Sequence, residues 1–183
     1  MKTATEETRR EPTGPYPGRL TLYHPNREGS GTALRLELRL SRRRDDRYDC
    51  FFLEMARQKP SEERGRGPAR FDWQNRATVK LDFADICEIL LVLEGRKERA
   101  GGARANGIYH ENGGANTLID VRRDAERGGI GVGLSKKTKG GEQLFRGRLL
   151  LSEAEALGLR CVFQSGLFFM VYHGSLESAP AGR

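Results

Sequence analysis

Basic and aromatic side chains on strand-like segments are the most chemically suggestive feature of this sequence. Arginine and lysine neutralise phosphate groups, and an exposed aromatic ring stacks on a base with little sequence preference. The set comprises Arg35, Arg39 and Phe52 in the first half of the chain and Arg122, Lys136, Lys137, Lys139, Arg146 and Arg148 in the second. Because the pattern is found in both halves, it predicts a surface that contacts phosphates and stacks on bases. Each residue taken alone also fits an ordinary solvated strand, since arginine is abundant in this chain.

A glycine-rich segment precedes two of these lysines, in the pattern Gly129-x-Gly131-x-Gly133-x-x-Lys136-Lys137. A P-loop needs Gly-x-x-x-x-Gly-Lys at the start of a helix. Here the glycines occupy alternate positions of a predicted strand and another glycine turn follows, so we reject a P-loop. The alternation instead predicts a flat face that a backbone or a base can approach closely. Packing of this strand against a neighbouring subunit explains the pattern equally well.

Three histidines, His24, His110 and His173, each follow a tyrosine, which raises the question of a metal or catalytic site. No Asp, Glu or Cys accompanies them at ligand spacing, and Ser135 and Ser152 lack a nucleophile-elbow context. We therefore expect no metal, no cofactor and no enzymatic activity. The matched positions of His24 and His110 indicate a structural role at the end of a strand.

The order of predicted elements behind these side chains occurs twice along the chain. In each half, a strand with Tyr-His leads to three more strands and then to a helix. The predicted strands are 19–24, 32–40, 50–57 and 77–81 in the first half, and 108–112, 117–123, 130–136 and 147–151 in the second. Such a repeat indicates two similar structural units. We predict an α+β fold of two β-β-β-β-α repeats, with curved antiparallel sheets each backed by a helix and related by a pseudo-twofold.

Hydrophobic periodicity and capping residues support these elements. Leucines at every second position from Leu34 to Leu40 alternate with charged residues, which is typical of a strand with one buried face. Asp82 and Ser152 are predicted helix N-caps, and Ser152 forms a capping box with Glu155.

Two further segments complete the predicted order of elements. The stretch that leads into the fourth strand is expected to be extended from Phe71 and Trp73 onwards. The second helix is expected over residues 153–172, and its last part is apolar. That part is therefore either buried between elements or subunits, or broken at Gly158 or Gly166.

The predicted organisation is a single domain with flexible ends. Residues 1–18 and 175–183 are expected to be flexible tails, and residues 19–174 to form one domain of two repeats, 19–99 and 107–174. The charged stretches 42–47 and 58–68 are predicted loops, and 96–107 is the linker between the repeats.

Composition narrows the class of protein. The 183 residues, 37% of them hydrophobic, suffice for one domain with a buried core. A net charge of +7 favours polyanions such as nucleic acid or anionic lipid, although many soluble domains carry a similar charge. The widely spaced Cys50, Cys87 and Cys161 are expected to be buried, reduced thiols. A polar N-terminus and the lack of an apolar run of about 18 residues predict no signal peptide, no membrane contact and a cytoplasmic location.

Two short segments carry a family resemblance. Segment 118–122 (Leu-Ile-Asp-Val-Arg) is similar to the second-strand motif of the transcriptional positive cofactor family, and 147–159 to its last strand running into a capped helix. The double β-β-β-β-α layout over residues 19–172 resembles the Whirly and purine-rich-element-binding (PUR) families. The resemblance implies binding of single-stranded nucleic acid, with bases laid across the sheets and the helices behind.

The sequence thus predicts a protein that binds single-stranded DNA or RNA, acts in transcription, recombination or repair, and forms a homo-oligomer (a dimer or larger). The alternative is a protein-interaction or oligomerisation module without nucleic-acid affinity, in which the glycine face and the late apolar helix are interfaces. Binding of a small ligand between sheets and helices has no residue to identify it.

Overall fold

The computed structural model describes residues 18–40, 49–60, 67–102 and 106–177, the last four without their side chains. The predicted N-terminal tail up to residue 17, the loop 42–47, loop residues 61–66, linker residues 103–105 and the C-terminal tail from residue 178 lie outside the described residues.

The chain forms two four-stranded antiparallel sheets, each followed by a helix. The elements are β1 (Arg19–His24), β2 (Thr32–Arg39), β3 (Cys50–Arg57), β4 (Ala77–Leu81), α1 (Phe83–Leu93), β5 (Ile108–Asn112), β6 (Ala115–Asp124), β7 (Gly129–Thr138), β8 (Gln143–Leu151) and α2 (Glu153–Glu177). The strands of each sheet lie in chain order, β1-β2-β3-β4 and β5-β6-β7-β8. The predicted fold class is confirmed.

Alternation of apolar and charged residues sets the register of the first sheet. Leu34 pairs with Met55 and Leu36 pairs with Leu53, and all four side chains are buried. Arg35, between the two leucines, points to the other face because side chains alternate along a strand. A shift by one residue would bury the charged set, so the pattern allows a single register.

Each helix begins at the capping residue that the sequence predicts. The Asp82 side chain accepts a hydrogen bond from the Asp85 N–H at 3.0 Å, and the Asp85 carboxylate accepts one from the Asp82 N–H at 3.0 Å. Ser152 and Glu155 repeat this capping box at the start of α2, with distances of 2.9 and 3.3 Å. Both helices therefore begin with a carboxylate on the third residue after the cap, where the helix dipole favours negative charge.

The two matched histidines join each repeat to the helix of the other repeat. His24 Nε2 in β1 lies 2.9 Å from Glu155 Oε1, and His110 Nε2 in β5 lies 2.9 Å from Asp85 Oδ2. Burial by itself would raise the pKa of Glu155, but hydrogen bonds from the N–H and hydroxyl of Ser152 and the contact with His24 hold that pKa below its ordinary value. The Tyr-His repeat is thus explained by two equivalent contacts between the repeats.

One hydrophobic core contains residues from both sheets and both helices. Phe163 of α2 packs edge-on against Phe51 of β3, with ring centroids 5.2 Å apart. Gly166 follows on the same face of α2, and a Cβ atom there would overlap the Phe51 ring. This glycine lets α2 cross the first sheet closely, so it serves packing and does not break the helix.

α2 differs from its prediction in length and burial. It is continuous from Glu153 to Glu177, so the predicted tail begins within the helix. Four of its late apolar side chains are about half exposed; they are Phe168, Phe169, Val171 and Tyr172. The interpretation of a break is wrong, and burial within the chain holds only in part, for Leu167 and Met170, which pack against the core.

By length and composition, the stretch Glu153–His173, with a mean hydropathy of 1.3, could cross a membrane. Charged residues occupy the first turns of this helix, so the sequence has no uninterrupted apolar run of this length. In the folded chain one face of this stretch, including Leu159 and Phe163, packs on the core.

The segment before β4 is not extended, contrary to the prediction. Phe71 forms an isolated bridge with Gln58, and the chain then turns at residues 73–75. The turn is held by a hydrogen bond of 2.8 Å from Asn75 Nδ2 to Asp72 Oδ2. Aromatic residues favour strands, but this local hydrogen bond stabilises a turn instead.

Part of the linker between the repeats is ordered against the second sheet. The Ala100 N–H donates to the Val121 carbonyl and the Arg123 N–H donates to the Glu98 carbonyl, both at 2.9 Å. Linker residues 98–100 therefore pair with the last part of β6, and this pairing fixes how the second repeat follows the first.

Candidate nucleic-acid interface

Each sheet has an outer face, by which we mean the face turned away from α1 and α2. Strand alternation places most of the predicted binding residues on the outer faces. They are Arg35, Arg39 and Phe52 on the first sheet, and Arg122, Lys137, Arg146 and Arg148 on the second. Lys139 lies in the turn between β7 and β8, where its Nζ is 3.0 Å from Glu111 Oε1.

Lys136 is not on the outer face. It pairs with Thr117 and Phe145, which are both buried on the helix side of the second sheet. Lys137 points the opposite way, because adjacent residues of a strand face opposite sides. The structure therefore separates two lysines that the sequence analysis treated as a pair.

Arg35 is the most constrained of the predicted cations. Its guanidinium carbon lies 3.8 Å from the centroid of the Trp73 ring, and its Nη1 donates to Glu54 at 3.4 Å. The side chain is only 20% exposed. A cation over an aromatic face is attracted by the ring quadrupole, so Arg35 holds Trp73 over the first sheet.

Arg39 and Phe52 form an accessible basic and aromatic pair. The Arg39 side chain is 64% exposed, and its guanidinium carbon lies 5.1 Å from the Phe52 ring centroid. Behind them, burial raises the pKa of the Cys50 thiol, although the charges of Lys80 and Arg39 oppose the shift. Cys50 is therefore a buried neutral thiol beneath this pair.

Three carboxylates on the outer faces, those of Glu37, Glu54 and Asp120, each contact two arginines, and we call each group of one carboxylate and two arginines an arginine trio. Glu37 contacts Arg19 at 2.8 Å and Arg39 at 3.7 Å. Glu54 contacts Arg35 at 3.4 Å and also contacts Arg76. Asp120 contacts Arg99 at 3.2 Å and Arg122 at 3.8 Å. Each trio keeps a net positive charge. Ordering a long side chain costs about 1.5–2 kcal/mol, and the shared carboxylate meets part of that cost before any ligand binds.

The glycine face of β7 is covered and is not an open patch. Gly131 and Gly133 are buried. A Cβ atom at Gly131 would lie 2.9 Å from Arg148 Nη2, and one at Gly133 would lie 3.7 Å from the Asp120 Cβ. The glycines therefore let side chains of the neighbouring strands lie across β7, and Arg148 reaches Asp124 at 3.8 Å. The expectation of a bare flat surface is wrong, because a guanidinium lies on it.

Lys137 and Arg146 are the cations most available to a ligand on the second sheet. Within the described part of the chain, neither forms an ion pair. The Arg146 carbonyl accepts a hydrogen bond of 3.1 Å from Arg57 Nε, at the point where the edge of β8 meets the end of β3. The two sheets are thus joined next to an exposed cation.

Two exposed tyrosines add to the predicted binding residues. Tyr23 and Tyr109 occupy equivalent positions in β1 and β5, point to the outer faces, and are 55% and 57% exposed. The signal was present in the repeated Tyr-His pair, since alternation sends the tyrosine outwards when the histidine points inwards.

A cleft of about 720 Å³ opens beside Tyr23 on the first sheet. It is lined by Phe71 and Trp73 as well as Tyr23, with Lys59 and Arg70 alongside. The rings of Tyr23 and Phe71 are 5.4 Å apart and inclined at 48°. The cleft was not predictable from the sequence pattern, because the aromatic residues before β4 favour an extended strand there.

Metal binding finds no support in the described ranges of the chain, where no three His, Cys, Asp or Glu side chains group as metal ligands would.

No protein-family model matches the sequence, and no curated protein matches it significantly. Solved structures match its fold. WHY1 from Arabidopsis thaliana superposes with a TM-score of 0.61, at 16% identity, over 90% of this chain and 92% of its own. MRP1/MRP2 from Trypanosoma brucei gives a TM-score of 0.59, at 18% identity, over 87% of this chain and 89% of its own. A guide-RNA-binding protein complex bound to a gRNA gives a TM-score of 0.56, at 19% identity, over 85% of this chain and 93% of its own.

At such identities the similarity concerns the fold. It extends over nearly the whole of both chains, and it includes the plant transcriptional regulator PBF-2 at a TM-score of 0.59. The two four-stranded sheets, each followed by a helix, therefore form a Whirly-like fold.

Proposed function

We propose that this chain binds single-stranded nucleic acid on the outer faces of its two sheets. The observation that carries the proposal is the set of arginine trios on those faces, beside exposed aromatic rings. Each trio offers positive charge to a phosphate, and Phe52, Tyr23 and Tyr109 offer rings to bases. A neighbour in fold is a guide-RNA-binding complex with its gRNA bound, which supports a nucleic-acid ligand.

The ligand is single-stranded because the proposed contacts include stacking. Bases in a duplex are already stacked and paired, so the rings of a sheet face reach only unpaired bases. The ligand is DNA or RNA, and the process is transcription, recombination or repair. No chemical step belongs to this function. All three cysteines are free thiols, but only Cys50 is buried as expected, whereas Cys87 is partly exposed and Cys161 is exposed. Free thiols fit a reducing cytoplasm.

Fluorescence anisotropy with a labelled mixed-sequence 25-mer, as single strand and as duplex, tests the proposal. We expect tighter binding of the single strand and an affinity that falls with salt, by a slope of about −0.7 per phosphate neutralised. Equal affinity for the duplex, or no binding at low salt, would overturn it.

Self-association is a second candidate function, and the late part of α2 favours it. The ring centroid of Phe168 lies 5.8 Å from that of Phe169 and 5.2 Å from that of Tyr172, and the three rings form an exposed aromatic cluster. Exposed apolar patches of this kind are typical of interaction surfaces. Because the cluster is on the helix and the binding residues are on the outer faces, both functions fit one molecule.

We propose that this cluster joins copies of the chain into a homo-oligomer, a dimer or larger. Light scattering after size exclusion should give more than one chain per particle for the wild type and a monomer for Phe168→Ser. A monomeric wild type at all concentrations would contradict this second candidate and leave nucleic-acid binding untouched.

A further inference from the structure

The cleft beside Tyr23 is built from segments that are attached to β3 on both sides. The Gln58 Oε1 accepts a hydrogen bond from the Asn26 N–H at 2.9 Å, and its Nε2 donates to the Asn26 carbonyl at 3.0 Å. The Lys59 N–H donates to the Arg70 carbonyl at 2.8 Å. These bonds fix the β1–β2 turn and the segment with Phe71 against the same strand, so the cleft exists before a ligand arrives.

Small residues under the cleft let the aromatic segment pack onto the sheet. Ala33 pairs with Tyr23 on one side and Ala56 on the other. Both alanines are on the outer face, yet both are fully buried. The outer face is therefore covered at this end of the sheet, where Arg35 holds Trp73 in place.

The charge around the cleft suits an anion attached to an aromatic group. Lys59 and Arg70 line it, and both carry positive charge. The neighbouring carboxylate, Asp72, is already engaged by Lys59 at 3.6 Å and by Asn75 at 2.8 Å. The volume of about 720 Å³ lies within the range of about 300–1,000 Å³ that is usual for ligand pockets.

The second repeat does not build the same cleft. Tyr109 occupies the place equivalent to Tyr23, but residues 139–142 alone connect β7 to β8, whereas residues 58–76 connect β3 to β4. The long connection supplies Phe71 and Trp73, so the cleft distinguishes one repeat from the other.

We propose that this cleft takes one unpaired nucleobase of the bound strand, stacked on its aromatic walls, with an adjacent phosphate on Lys59 and Arg70. The inference rests on the proposed function and adds an anchoring position to it. Because the cleft occurs in one repeat, it gives the bound strand a fixed register and direction across two otherwise similar sheets.

Trp73 reports on the cleft directly, because it is the single tryptophan of the chain. A base stacked in the cleft should quench its fluorescence at the oligonucleotide concentrations that raise the anisotropy of the labelled strand. Phe71→Leu removes a ring and keeps an apolar side chain. We expect it to weaken binding about five- to a hundredfold, the range for one stacked base, and to abolish most of the quenching. Tyr109→Leu removes a proposed stacking ring outside the cleft, so it should weaken binding but leave the amplitude of Trp73 quenching at saturation unchanged.

The outcomes separate the two proposals. Anisotropy binding without a change in Trp73 fluorescence would overturn the cleft and leave the proposed function standing. Quenching by adenosine monophosphate, which lacks neighbouring nucleotides, together with no binding of the 25-mer would support the cleft and overturn the proposed function. Equal quenching in the wild type and in Phe71→Leu, with both variants folded by circular dichroism, would also overturn the cleft.

Discussion

Reversing the charge of Lys137 tests the outer face against the opposite face of the same strand. Lys137 points outwards beside Arg146, whereas Lys136 points to the helix side. Lys137→Glu and Lys136→Glu change the net charge equally, so any long-range attraction of a polyanion changes equally in both. A difference between the two variants therefore reports direct contact. We expect Lys137→Glu to weaken binding to all sequences alike, and Lys136→Glu to weaken it much less.

The salt dependence gives this prediction a magnitude. One phosphate contact with a single strand contributes about 0.7 to the slope of log K against log salt. Between 50 and 200 mM salt, a fourfold change, a slope of about 0.7 corresponds to about 2.6-fold in affinity. The wild type should therefore lose about 2.6-fold more affinity over this range than Lys137→Glu, while Lys136→Glu should keep the slope of the wild type.

Anisotropy titrations of the single-stranded 25-mer at four salt concentrations measure both slopes, and thermal unfolding shows whether each variant is folded. Equal slopes of log K against log salt for the two variants would mean that binding depends on net charge and not on which face of the sheet carries the lysine. A larger loss of slope in Lys136→Glu would place the ligand on the helix side and refute the reasoning.

Three further predictions concern the fold. Gly166→Ala should destabilise the chain by about 1–3 kcal/mol, because the added methyl group would overlap the Phe51 ring. Gly158→Ala has open space around its Cβ position and should stabilise α2 by up to about 1 kcal/mol. Denaturant unfolding measures both changes. A double-mutant cycle on His110→Ala and Asp85→Ala should give a coupling of about 1 kcal/mol, since the two side chains are 2.9 Å apart and partly exposed. Zero coupling would show that this contact between the repeats does not stabilise the fold. The pKa of Glu155 is lowered in the folded state, so its contribution to stability is complete above about pH 4.3 and is lost as the pH falls through the folded value. Glu155→Gln should therefore be less stable than the wild type at neutral pH and should lose less stability on acidification. The same dependence of unfolding free energy on pH in both proteins would contradict this.

Strands and helix starts were predictable because each depends on local chemistry. The alternating leucines from Leu34 specify a strand and its buried face, and Asp82 and Ser152 specify helix starts through their capping bonds. The repeat supplied the topology, because two copies of one order of elements constrain each other. Each of these features depends on residues that are close in the sequence, so it can be predicted without knowledge of the tertiary structure.

The missed features depend on contacts between distant segments. Phe71 and Trp73 have strand-like side chains, but a turn stabilised by Asn75 and the cation of Arg35 determine where they lie. The partner of His110 is a helix cap in the other repeat, which no local pattern indicates. Strand alternation alone predicts that Lys136 and Lys137 face opposite sides of β7. The two were grouped as binding residues by their positive charge, without regard to the side that each faces.

Ultraviolet cross-linking maps the face that binds the ligand, and it tests the central claim most directly. A single-stranded oligonucleotide with 5-iodouracil at each position in turn would be irradiated with the protein, and mass spectrometry would identify the modified peptides. The account predicts adducts on outer-face rings, namely Tyr23, Phe52 and Tyr109. Adducts confined to Phe168 and Tyr172 on α2, which are about as exposed as Tyr23 and Tyr109, would contradict it and assign binding to the helix side.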